Sequence, residues 1–213
     1  MEELNILKMG GSVITDKKKP LTPNLKALDA LSKGIAQVHT PMLLVHGGGS
    51  YGHYYAQQFG LGTKLKKASE EGVSKTRMAM LELNLIVVKS LEKHGVHTYS
   101  LPPASLISSG CVIEHGVRLL KSILRGRLTP ITYGDVLSHQ GRYYIISGDR
   151  IARILAENLK PARVIFTLDV DGVYASNRPP YKLIKEIRAD ERLKIGSPAD
   201  VLDVTGGMML KLR

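Results

Sequence analysis

Three glycine-rich stretches hold the residues best suited to handling an anion. They are "KMGGS" at 8–12, "HGGGSYGH" at 46–53 and "TGGMMLK" at 205–211. Glycine has no Cβ, so backbone N–H groups in such stretches can approach a phosphate closely. A helix that starts at the same point adds its partial positive charge. Each stretch also carries a cation or a histidine. Lys8 sits two residues before Gly10 and Gly11, His53 lies just past Gly48 and Gly49, and Lys211 lies one helical turn past Gly207. Phosphoryl transfer needs this kind of chemistry, because it depends on positioning and charge neutralisation more than on covalent help. Lys8 has apolar residues on both sides, and a lysine there is costly unless its head reaches an anion or water. Lys17 belongs to a run of three lysines that also suits a solvated loop. Asp149 follows Gly148 in "ISGD", where it either caps a helix or orients nearby cations. His46 ends an apolar run beside glycine, where its ring is expected only to bond a backbone carbonyl.

These residues need elements to position them. Short apolar runs at 4–9, 41–45, 96–101, 128–133 and 162–168 read as strands, with a hairpin over 135–146. Helical spacing of apolar residues marks 24–39, with Leu25, Leu28, Leu31, Ile35 and Val38 on one face. It also marks 75–95, with Met78, Leu81, Leu85, Val88 and Leu91. Further helices are expected near 118–125 and over 148–160. The stretch 169–181 is rich in turn formers, and 182–187 reads as one more short strand. Strands alternating with helices predict an α/β fold with a mostly parallel central sheet sandwiched by helices. In such sheets ligands bind beyond the carboxyl ends of the strands, which is where the glycines fall. No boundary divides the chain, so residues 1–213 are read as one domain. Neither G-x-x-x-x-G-K-[ST] nor G-x-G-x-x-G after a strand is present, so the phosphates are cradled in another way.

Composition narrows the classes. The chain has 30 basic and 19 acidic residues, a surplus that favours a polyanionic partner. Local clusters occur at 16–20 and 64–67. With only 5% aromatic residues and no Trp, a base-stacking surface is poorly supported, so a small phosphorylated molecule is expected rather than nucleic acid. No apolar run reaches the length of a membrane span, and the acidic start does not read as a signal peptide. A single cysteine excludes an internal disulfide and a cysteine metal cluster, which fits a reduced, cytoplasmic protein.

"LKMGGSVIT", "HGGGSYGH", "ISGD", "LDVDGVY" and "DVTGGMMLK", in that order, resemble the amino acid kinase superfamily. Within it, His53 in G-G-G-S-x-G-H is similar to the archaeal-type isopentenyl phosphate kinases, and the fosfomycin-resistance kinases share a similar feature. The resemblance implies a single kinase domain that binds the acceptor with its N-terminal part and ATP with its C-terminal part. Lys8 matches the lysine that contacts the transferring phosphate, and Lys17 one that stabilises its charge. Gly10, Gly11 and Ser12 would offer backbone donors to ATP, and Gly48 and Gly49 would lie between the two phosphates. His53 would bind the acceptor's phosphate. Gly148 would lie at the acceptor site, and Asp149 would orient the lysines. Asp169, Asp171 and Gly172 match the nucleotide-side loop, and Gly207 and Lys211 the helix that holds ATP's outer phosphates. An isoprenoid tail would need an apolar pocket near His53, with Val73, Met80, Ile107 and Ile146 as candidates. No metal-ligating cluster is visible, so Mg2+ would arrive with ATP. The resemblance also implies a homodimer. Members of the family continue beyond the helix of Lys211, whereas this sequence ends at Arg213. The alternatives are a phosphonate or uridylate kinase of the same fold, and a non-catalytic nucleotide-binding or RNA-binding module.

Overall fold

The structure, a computed structural model, describes residues 3–174 and 183–186. Gly207 and Lys211 lie outside the described residues. The elements run β1 (Asn5–Met9), α1 (Gly11–Ile14), α2 (Leu25–Ala36), β2 (Met42–His46), α3 (Gly49–Gln58), α4 (Glu70–Lys93) and β3 (Thr98–Ser100). There follow β4 (Ile107–Ser108), β5 (Cys111–Val112), α5 (Glu114–Arg125), β6 (Thr129–Tyr133), β7 (Asp135–His139) and β8 (Arg142–Ile146). Last come α6 (Gly148–Leu159), β9 (Arg163–Phe166), β10 (Val173–Tyr174) and β11 (Leu183–Ile184). Five strands form one all-parallel sheet in the order β3-β6-β2-β1-β9. The fold is the expected α/β class. β7 and β8 make the expected antiparallel hairpin, turned by Gln140 and Gly141, both at positive φ as a tight two-residue turn requires.

Alternation along the strands sorts the side chains between two layers. Ile6, Leu43 and Val45 pack with α5 and α6, while Leu7, Met9, Met42 and Leu44 pack with α2 and α4. Each fully buried Leu or Ile contributes about 1.5–3 kcal/mol relative to exposure. Lys8 shares the parity of Ile6, so it points to the α6 layer. His46 shares the parity of Leu44, so it points to the α4 layer.

Two helices differ from their expected form. α4 starts at Glu70, capped by the Ser69 hydroxyl accepting from the Gly72 N–H, and is longer than the 75–95 reading. The face expected to be buried is largely exposed: Met78 is 64%, Leu81 50% and Leu85 51% exposed. The buried stripe instead includes Thr76, Met80, Leu83, Asn84 and Val87, joined by Leu91 from the expected face. Apolar residues run around most of this helix, and the true core stripe contains two polar residues that an apolar pattern skips. α2 buries Leu28 and Ile35 as expected, whereas Leu25 and Val38 at its ends are exposed. The Asn24 side chain caps it by accepting from the Ala27 N–H.

Candidate active site

The carboxyl ends of β1, β2 and β9 converge, and each carries part of the site. β1 ends in Lys8 and Met9, and its continuation through Gly10 enters α1. The Gly10 N–H donates to Thr167 Oγ1, and the Thr167 N–H donates to the Lys8 carbonyl, so the end of β9 is sewn to the end of β1. β2 ends in His46, then Gly47–Gly49 turn into α3. The two glycine loops pack backbone against backbone. A Cβ on Gly11 would overlap the Gly49 amide nitrogen, and one on Gly49 would overlap Thr15 Oγ1. Gly49 also sits at φ +48, a region that strains any other residue. Gly148, which opens α6, lies so close to β2 that a Cβ would come within 2.8 Å of the His46 carbonyl oxygen. Much of the glycine requirement therefore arises from loop-to-loop packing that leaves no room for side chains.

Two lysines stand at this junction in different surroundings. Lys8 is 4% exposed, and its Nζ lies 2.8 Å from Asp149 Oδ1 in the first turn of α6, with Asp149 9% exposed. Ser147 caps that helix by accepting from the Arg150 N–H, so Asp149 is not the cap and its carboxylate faces Lys8. Lys17 is largely exposed and pairs with Asp169 Oδ2 at 2.6 Å. Asp169 also accepts from the Ser12 hydroxyl at 3.0 Å. Burial works upward on the Asp169 carboxyl, but the hydrogen bonds from Lys17, its own backbone and Ser12 outweigh that and hold it below the usual carboxylate range. Asp149 thus faces Lys8, and Asp169 takes Lys17. A depression of about 550 Å³ opens beside Ser12, Thr15 and Lys17.

The remaining candidates are distributed around this centre. His53 lies on α3, one turn past Gly49, half-buried. Gly48 is the N-cap of α3, and the Ser50 N–H donates to Thr15 Oγ1. The Gly10 N–H, expected to face ATP, is taken by Thr167, which leaves Gly11 and Ser12 of that trio. Met80 lies under Gly48 and Gly52, with its sulfur 3.0 Å from where a Cβ on either would sit. Val73 is half-buried and lines an open depression of about 420 Å³ with Arg77, Met78, Leu81 and Tyr143. Ile107 and Ile146 are core residues of the α5–α6 layer, and Ile146 is fully buried. Asp171 and Gly172 lie on the loop between β9 and β10. Among the described residues, no group of three His, Cys, Asp or Glu is placed to hold a metal ion.

The sequence profile of the amino acid kinase family matches residues 3–213. The chain belongs to that family. Over 95% of its length this family member is 35% identical to the isopentenyl phosphate kinase of Thermoplasma acidophilum, covering 82% of that protein. It is 32% identical to the isopentenyl phosphate kinase of Methanocaldococcus jannaschii over 98% of the chain and 85% of the relative. A crystal structure of an isopentenyl phosphate kinase substrate complex superposes with TM-score 0.79 at 34% identity, covering 87% of this chain and 80% of that one. At this junction of strand ends, sequence reasoning misses the residues that hold others in place. Thr15 and Thr167 are single threonines in unremarkable contexts. The Lys17–Asp169 pairing spans 152 positions, and no local spacing announces it.

Proposed function

We propose that this chain transfers the γ-phosphoryl group of ATP to isopentenyl phosphate, giving isopentenyl diphosphate and ADP. The observation that carries the reading is the buried Lys8–Asp149 pair at the meeting of three strand ends, with His53 one turn into the adjoining helix. The long, near-full-length similarity to isopentenyl phosphate kinases supports the choice of acceptor. An acceptor phosphate monoester is already an anion at neutral pH and needs no general base. One of its oxygens attacks the γ-phosphorus, and the new P–O bond forms as the bond to the ADP oxygen breaks. Lys8, fixed by Asp149, neutralises charge on the transferring group, and Lys17 reaches it from the rim. His53 donates to a non-attacking oxygen of the acceptor phosphate, holding another oxygen in line. Gly11, Ser12, Gly48 and Gly49 supply backbone donors. Asp169, Asp171, Gly172, Gly207 and Lys211 serve the nucleotide side. Mg2+ would be brought by the nucleotide, since the described residues offer no ligand cluster of their own, and would supply neutralisation of the phosphate charge.

In the same reading the enzyme is a cytoplasmic homodimer. The exposed apolar stripe of Met78, Leu81 and Leu85 on α4 supports the dimer, which light scattering tests directly. Among the described residues no helix is long and apolar enough to cross a membrane. The deciding experiment incubates purified protein with ATP, Mg2+ and, separately, isopentenyl phosphate, fosfomycin, uridine monophosphate and N-acetylglutamate. Phosphorus NMR follows the product. Diphosphate formed chiefly from isopentenyl phosphate supports the proposal. Preference for another acceptor reassigns the substrate, and nucleotide binding without turnover of any acceptor points to a binding module.

A further inference from the structure

His46 faces away from the reacting groups. Strand alternation turns its ring into the α4 layer, where it is fully buried and stacked on Tyr133 with ring centroids 5.4 Å apart. Its Nδ1 lies 3.1 Å from the Gly47 carbonyl oxygen, and its Nε2 lies 3.3 Å from the Asn84 amide oxygen. The other end of that amide is 2.7 Å from Ser100 Oγ. Burial, opposed by these hydrogen bonds and reinforced by the nearby Lys8 charge, pushes the imidazole down to about 4, so the ring is neutral at neutral pH. A neutral imidazole has one N–H, and the Gly47 oxygen can only accept. The two ends of an Asn amide are interchangeable in position, and a serine hydroxyl rotates. One neutral arrangement satisfies every buried atom: Ser100 O–H donates to the Asn84 oxygen, the Asn84 amide donates to Nε2, and Nδ1–H donates to the Gly47 oxygen.

The effect on the glycine loop follows from peptide geometry. In a planar trans peptide the carbonyl and the following N–H point in opposite directions. A Gly47 carbonyl held against the ring therefore turns the Gly48 N–H away from the α4 layer, to the face of the sheet into which Lys8 points. Among the described residues no acceptor is bonded to that N–H. Gly47, Gly48 and Gly49 in a row offer no Cβ to fix the peptide themselves, so its orientation must come from elsewhere.

We infer that His46 is a positioning residue, whose Nδ1–H, set by Asn84 and Ser100, pins the Gly47 carbonyl and keeps the Gly48 amide aimed at the transferring phosphate. The inference rests on the phosphoryl-transfer reading of the site. Two substitutions separate this role from space filling. His46→Asn keeps a donor near the Nδ1 position, and His46→Gln keeps one near Nε2. Removing a preorganised donor outright costs about a hundredfold or more in kcat. The expected result is that His46→Gln lowers kcat by roughly ten- to hundredfold with KM for ATP nearly constant, whereas His46→Asn retains activity within about threefold. Loss of activity in both variants alike, in step with their melting temperatures, would overturn the inference. Nitrogen NMR of the wild-type imidazole is a readout that needs no turnover. A protonated Nδ1 is expected, and a protonated Nε2 with bare Nδ1 would also overturn it. Wild-type protein that fails to phosphorylate isopentenyl phosphate removes the acceptor assignment alone. In that case the tautomer, and the shift of the Gly48 amide on adding inorganic phosphate to wild type and to His46→Gln, decide the role of His46; equal Gly48 shifts in the two would sink it.

Discussion

The floor and the rim of the site solve the same electrostatic problem in different ways. On the floor, Lys8 and Asp149 are both buried, joined at 2.8 Å and enclosed by glycine loops that touch backbone to backbone. At the rim, Lys17 is 59% exposed and meets Asp169 in contact with water. A buried pair carries a large desolvation cost and holds only while both members are present. An exposed pair is worth about 0–1 kcal/mol and breaks easily. In the proposed function the floor is therefore a fixed charge that awaits the phosphate. The rim, in the same proposal, is a charge that leaves its carboxylate for a stronger anion once the nucleotide arrives.

The sharpest break of this contrast is Lys8→Ala, which strands the Asp149 carboxylate. It should cost about 3–5 kcal/mol of stability in urea unfolding, besides lowering kcat by a hundredfold or more. A Lys8→Met/Asp149→Leu protein should recover the stability without recovering the activity. Full stability in Lys8→Ala would show that the floor is wetter than the structure indicates. Next in size is the acid sensitivity of the floor. The folded pKa of His46, about 4, lies below its ordinary 6.5, so the unfolded chain takes up a proton first as pH falls. The stability it supports is complete above pH 6.5 and is lost as pH falls toward 4, with a span on the order of 3 kcal/mol. Unfolding free energies of wild type and His46→Asn measured between pH 7 and 4 should differ in slope. Parallel slopes would remove His46 from the account.

At the rim, Lys17→Ala should lower kcat by about a hundredfold while stability changes by less than about 1 kcal/mol. Normal turnover would mark residues 17–19 as a solvated loop. Smallest is His53→Ala, which should raise KM for the acceptor by about tenfold and lower kcat, with KM for ATP nearly constant. His53→Gln, retaining a donor without the charge, should fall between the two. Unchanged acceptor kinetics would remove the main residue-level support for isopentenyl phosphate as acceptor.

The five strands of the main sheet, its hairpin and most of the longer helices are legible because each carries its signal locally, whereas the short α1, β4 and β5 carry none. The apolar run of β1 breaks at Gly10, Asn24 caps α2, and Gln140-Gly141 turns a hairpin. Lys8 stood out because a lysine between apolar neighbours is a local contradiction. What stayed hidden was what depends on a distant partner. The exposed face of α4 was mistaken for its core face because Thr76 and Asn84 are buried only through the groups they bond. Thr76 donates to the Gly72 carbonyl, and Asn84 bridges His46 and Ser100. Thr167 and Asp169 acquire meaning only when β9 is laid beside β1, a pairing that no spacing in the sequence specifies.

That pairing has a consequence for the chain as it is made. β1 is synthesised before its neighbour β9 and the Asp149 of α6, which emerge about 140 residues or more later, on the order of ten to thirty seconds at ribosomal speed. For that interval β1 is an open sheet edge, the kind of surface on which nascent chains stick to one another. Lys8 points inward from this edge, and an inward charge on an edge strand discourages a foreign strand from docking. The lysine proposed to serve catalysis in the finished molecule thus guards the half-made one.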